Sequence, residues 1–186
     1  MQTSEEPRRV TTSSSDRGGK LDVASLVLLA ILFAAGFVLN MTVGKALAIT
    51  GIQPEFVIAA YCLAILILQP TLPQAVLMGV LAATVIQITT SIPGLEYLGD
   101  IPASAVMFLF ARAIPGRDRA GLIPLVGTFV TTAVSGLIFA SFATVVVLGA
   151  APSSIVAMLP VVFGTALANC VIVQVLYLPL KKAARR

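Results

Sequence analysis

Thr89-Thr90-Ser91-Ile92-Pro93-Gly94-Leu95-Glu96-Tyr97-Leu98-Gly99-Asp100-Ile101-Pro102 lies near the middle of the chain, between two long apolar runs. It holds two of the four charges between Asp22 and Arg112, and both are acidic. An acidic segment between two membrane-length runs is costly to place in lipid, so it belongs at a membrane surface or a polar cavity. Its position predicts a connection that forms the lip of a small-molecule site.

The runs on either side fix the class. Of 186 residues, 58% are hydrophobic and 11% charged, against about 25% charged in soluble domains. This composition predicts an all-α integral membrane protein with no separate soluble domain. A transmembrane barrel would show alternating segments of about ten residues, whereas these runs are continuously apolar. The net charge of +4 does not point to nucleic acid, because the basic residues sit at tails and helix ends. Cys62 and Cys170 fall inside apolar runs and read as buried reduced thiols. Histidine is absent, which removes serine–histidine catalysis and most zinc chemistry. Gly44-Lys45 lacks the flanking residues of a phosphate-binding loop. Neither an enzyme nor a metal or cofactor site is expected in this chain.

Outward from the opening stretch, six helices are expected. They span about 22–40, 55–69, 72–90, 100–112, 122–148 and 155–180. Asp100 as cap and Pro102 in the first turn give the start signal of the fourth. The apolar core of the second, Phe56 to Leu68, covers roughly 20 Å against about 30 Å of hydrocarbon. Gly51-Ile52-Gln53-Pro54-Glu55 is therefore expected to dip below the surface, against protein or a cavity. Residues 1–20 read as a disordered polar tail and not a signal peptide, 21–182 as one six-helix membrane domain, and 183–186 as a basic tail. Eleven of the twelve Lys and Arg lie in the N-terminal tail, in the 112–119 turn or at the C-terminus. The positive-inside rule then makes both termini cytoplasmic and the protein multi-pass in the cell membrane. Lys45, Glu55, Glu96 and Asp100 map to the outer side.

Two readings compete for these outer groups. They are solvated loop charges, with Asp100 only capping a helix, or they form a site with Gln53 and Tyr97. For a zwitterionic ligand, Glu55, Glu96 or Asp100 could meet the ammonium, and Lys45 or free backbone N–H groups the carboxylate. Tyr97 and Phe56 could stack on an aromatic ligand. Among polar residues inside the apolar runs, Gln87 and Asn169 are candidates for ligand contact or for interhelical hydrogen bonds. Asn40, Thr84, Thr131, Thr132 and Gln174 belong to the same set. Ala30 and Ala34, Gly79 and Ala83, and Gly164 and Ala168 are small pairs at four-residue spacing, which lets helices approach closely.

Four places carry a family resemblance: Gly51-Ile52-Gln53-Pro54-Glu55; Thr89 to Gly94 with Asp100-Ile101-Pro102; Val134-Ser135-Gly136-Leu137; and Leu167-Ala168-Asn169 with Tyr177-Leu178-Pro179. The chain resembles the substrate-binding S component of an energy-coupling factor (ECF) transporter, tryptophan type. The resemblance implies capture of a small aromatic molecule, tryptophan first, from outside. It also implies a transmembrane T component and two ATPase subunits as partners, with ATP used by those subunits and none by this chain. Ala30 and Ala34 match the small-residue motif that docks on the T component. Glu55 departs from the aspartate expected after the proline, and no basic residue precedes Pro102. A vitamin or other heteroaromatic ligand on the same architecture is the first alternative, and a stand-alone secondary transporter the second.

Overall fold

The computed structural model describes residues 21–49, 53–113 and 121–184. The readings over residues 1–20, Gly51-Ile52, Pro115 to Arg119 and Arg185-Arg186 lie outside these. Among the described residues every regular element is helical. There are six helices: α1 (Val23–Ala48), α2 (Phe56–Leu68), α3 (Leu72–Ile86), α4 (Leu95–Ala113), α5 (Ile123–Val147) and α6 (Pro152–Ala183).

The chain winds around α2. Successive helices pack as neighbours, α3 on α4, α4 on α5 and α5 on α6, while α1 and α6 both pack on α2. That position explains the sequence of α2. Its thirteen residues carry no charge, and Val57 through Leu66 are buried without a break. A helix surrounded on all sides needs no polar face. It starts after Glu55 and stops at Gln69, whose φ of 51° is left-handed, just before Pro70.

Close approach between helices is made with small residues. A Cβ on Gly36 of α1 would stand 2.9 Å from the Phe56 carbonyl oxygen of α2. One on Gly79 of α3 would stand 2.7 Å from the Asp100 carbonyl oxygen of α4. One on Gly99 of α4 would stand 2.9 Å from Ser135 Oγ of α5. Such contacts replace the hydrophobic drive that lipid removes.

Three helix boundaries differ from the sequence expectation. The fourth helix begins at Leu95, not Asp100. Gly94, at φ 89°, closes the preceding turn, and its N–H donates to Gln87 Oε1 at 2.8 Å. The helix then starts at once, with Glu96 in its first turn, where a carboxylate suits the positive end of the helix dipole. Asp100 is therefore interior and caps nothing, and Pro102 forgoes one backbone hydrogen bond. The third helix ends at Ile86, because the N–H groups of Thr89 and Thr90 both fold back onto the Ile86 carbonyl at 2.9 and 3.0 Å. The first continues past Asn40 through a π-helical turn, Asn40–Gly44, to Ala48. Asp22 caps it as expected. Its carboxylate accepts from the Ser25 N–H at 2.9 Å and the Ser25 hydroxyl at 2.6 Å, and these bonds hold its pKa below the ordinary value.

By length and composition, α1, α5 and α6 are long and apolar enough to cross a membrane, with 26, 25 and 32 residues. The helices α2 and α3 are shorter apolar ones. Large apolar side chains such as Ile31, Val38, Leu109, Val146, Val156 and Val175 stand exposed along the bundle. An apolar exterior this extensive marks a surface made for lipid or a partner.

Candidate functional site

The end of the bundle where α2 and α4 begin is built around a three-residue segment, Gln53-Pro54-Glu55. It makes no regular backbone structure, so side chains must satisfy its polar groups. Asn169 of α6, fully buried, does this for Glu55. Its Oδ1 accepts the Glu55 N–H at 3.0 Å and its Nδ2 donates to the Glu55 carbonyl at 3.1 Å. The same Nδ2 donates to Thr132 Oγ1 of α5 at 3.3 Å. Thr165 of α6 donates to the Gln53 carbonyl at 3.0 Å. From the other side, Asn40 donates to Glu55 Oε2 at 2.9 Å and accepts the Phe56 N–H at 2.7 Å. Asn40 opens the π-helical turn of α1; such turns recur at functional sites.

Held this way, Glu55 lines a cavity of about 180 Å³. Its polar wall is Gln53, Glu55 and Glu96 with the hydroxyls of Thr132, Ser135 and Thr165. Its apolar wall includes Ile58, Phe139, Met158, Val161 and Val162. Glu96 enters from the first turn of α4 and accepts the Thr90 hydroxyl at 3.2 Å. The size lies below the roughly 300–1,000 Å³ of drug-sized sites, and few polar groups on an apolar wall suit one small ligand.

Asp100 stands behind this wall. It is fully buried, and its Oδ1 accepts the Ser135 hydroxyl at 2.8 Å. Among the described residues its Oδ2 has no hydrogen-bond partner, and neither has the buried Tyr61 hydroxyl on α2.

The candidate residues thus separate. Gln53, Glu55 and Glu96 line the cavity. Asn169 positions the segment that carries two of them. Gln87 organises the turn before α4, accepting from Gly94 and donating to the Ala83 carbonyl at 3.3 Å. Tyr97 turns to α3, where its hydroxyl meets Thr84 Oγ1 at 3.0 Å. Lys45 is exposed on α1 and is not among the cavity-lining residues. Phe56 is absent from the lining as well, and Phe139 is its aromatic member. Ala30 and Ala34 are exposed on α1 and line an open apolar groove between α1 and α3, with Phe33, Leu81 and Val85. Sequence reasoning did not single out Ser135, Thr165 or Phe139. Ser135 and its neighbour Gly136 lie in one of the four motifs, and that is the signal that could have found them.

A helical bundle with an apolar exterior and a small cavity lined by two carboxyl groups at one end has the architecture of a membrane protein. Residues 22–185 match the family described as Tryptophan transporter TrpP, and the chain belongs to that family. It is the tryptophan-type family that the four motifs resembled. No curated protein and no solved structure matches the chain.

Proposed function

We propose that this protein captures tryptophan at the outer face of the cell membrane for import. The observation that carries the reading is the pairing of Glu55 and Glu96 with an apolar wall in one cavity. The carboxylates meet the ligand's ammonium, and Phe139, Met158 and Val162 pack against its indole. Membership in a family of tryptophan transporters supports the same ligand.

In this reading the six helices all cross the membrane and both termini are cytoplasmic. The charge distribution supports that topology. The protein acts as the S component of an ECF importer, binding substrate while two ATPase subunits hydrolyse ATP. The groove beside Ala30 and Ala34 receives the T component, and the small exposed side chains there suit close helix packing. Its work is binding and translocation, not turnover.

The test uses the absence of tryptophan from the chain. The chain adds no indole emission of its own, so a rise in the anisotropy of added tryptophan reports binding to the purified protein in detergent micelles. Saturable binding at micromolar tryptophan is expected. No binding at that concentration overturns the ligand. Co-purification of a T subunit with an ATPase pair tests the ECF assembly separately.

A further inference from the structure

We propose that this site recognises its ligand by the amine alone, so that it takes indole amines without a carboxylate, such as tryptamine, as well as tryptophan. The inference rests on the tryptophan reading above and goes beyond it by assigning which end of the amino acid is read.

The cavity wall is an acceptor surface. Glu55 and Glu96 are carboxylates, each with one observed donor, Asn40 and Thr90. Two of the three lining hydroxyls spend their single proton elsewhere. Ser135 donates to Asp100 and Thr165 donates to the Gln53 carbonyl. Both therefore turn only lone pairs toward the cavity. Thr132 accepts from Asn169 and keeps its proton, and Gln53 contributes an amide. Against these stand the two carboxyl groups at the wall, Glu55 and Glu96, with the Asp100 carboxyl hydrogen-bonded behind Ser135.

No lysine or arginine lines the cavity among the described residues. Arg112 lies over the Phe108 ring near the end of α4. Lys181 donates to the Tyr177 hydroxyl, and Lys182 is in the last turn of α6. These three are at the opposite end of the bundle, and Lys45 is exposed on α1. A ligand ammonium, with three N–H donors and a positive charge, complements this wall. A ligand carboxylate brings only acceptors and a like charge. Specificity is a difference of affinities, and here the difference is built on the amine.

Three probes separate the ends of the molecule: tryptophan, tryptamine (no carboxylate) and indole-3-propionate (no amine). Each carries the indole, and each is titrated by anisotropy against the full chain in detergent micelles. Tryptamine is expected to bind within tenfold of tryptophan, and indole-3-propionate at least tenfold more weakly than tryptophan. Glu55→Gln keeps an acceptor for Asn40 while removing charge, and it should weaken tryptophan and tryptamine by a similar factor; Glu96→Gln provides the same comparison from α4. Tryptamine losing more than tenfold, or indole-3-propionate matching tryptophan within tenfold, overturns the proposal while leaving tryptophan capture standing. Failure of all three to bind overturns the tryptophan reading and this inference with it.

Discussion

Asn169 clasps Glu55 by both of its backbone polar groups across 114 residues of chain, at 3.0 and 3.1 Å. One side-chain amide thus supplies what a neighbouring strand would. Glu55 reaches the cavity because the first and last helices hold it there, not because its own segment has regular structure.

Asn169→Leu should damage both stability and binding. It leaves the Glu55 N–H without its partner, at about 1–3 kcal/mol, while the Glu55 carbonyl keeps the Ala59 N–H at 3.1 Å. The thermal midpoint in detergent is expected to fall, and tryptophan affinity to fall at least tenfold as Glu55 loses its fixed position. Unchanged affinity in the folded variant would show that the segment holds its own geometry.

Asp100 and Ser135 should respond in opposite ways. Ser135→Ala removes the one donor to a fully buried carboxyl, and an unsatisfied buried acceptor costs about 1–3 kcal/mol. Asp100→Asn keeps the Ser135 bond and removes any need to bury a charge. The serine variant is expected to melt lower than the parent and the asparagine variant at or above it. A thermal-shift series on the two purified variants checks this, and a lower melt for Asp100→Asn would mean the charge is needed.

Gly79 should not tolerate even a methyl group. A Cβ there meets the Asp100 carbonyl oxygen at 2.7 Å and the Ser104 side chain as well, so α3 and α4 must separate. Overpacking of this kind costs about 1–3 kcal/mol or more. At Gly149 a Cβ meets nothing within 4 Å, though its φ of 61° is left-handed, which costs roughly 1–2 kcal/mol. Gly79→Ala is expected to lower the thermal midpoint more than Gly149→Ala. The reverse order would place the close helix contact elsewhere.

Both thiols should be silent in the folded protein. Cys62 and Cys170 are free and buried, and Cys170 Sγ donates to the Leu167 carbonyl at 3.1 Å. Maleimide is expected to add nothing under native conditions and two adducts after denaturation, read by intact mass. Rapid native labelling of either would show that its helix opens.

Much of the bundle was legible because lipid-soluble helices advertise themselves. Phe56 to Leu68 is bracketed by Glu55 and Gln69-Pro70, and the helix has those bounds. At α4 two local signals competed. Asp100 and Pro102 resemble a helix start, but a glycine turn six residues earlier, tied by Gln87, begins the helix first. Glu55, Glu96 and Gln53 stood out as polar groups among apolar neighbours. Thr132 stood out in the same way, but the hydroxyls of Ser135 and Thr165 did not, since which face of α5 or α6 meets the cavity depends on packing across helices. Lys45 follows a π-helical turn that no local pattern announces, and that turn resets the register of the residues after it.

The clasp on Gln53-Pro54-Glu55 also sets when the site can exist during synthesis. Asn40 emerges before this segment, but Thr165 and Asn169 lie in the last helix. A nascent chain that has formed α1 through α5 therefore has Asn40 on the Glu55 carboxylate but lacks the Asn169 clasp on the Glu55 backbone. Loss of α6 would remove Asn169 together with Met158, Val161, Val162 and Thr165 from the cavity wall. Assembly of the candidate site thus waits for α6, the last of the described helices.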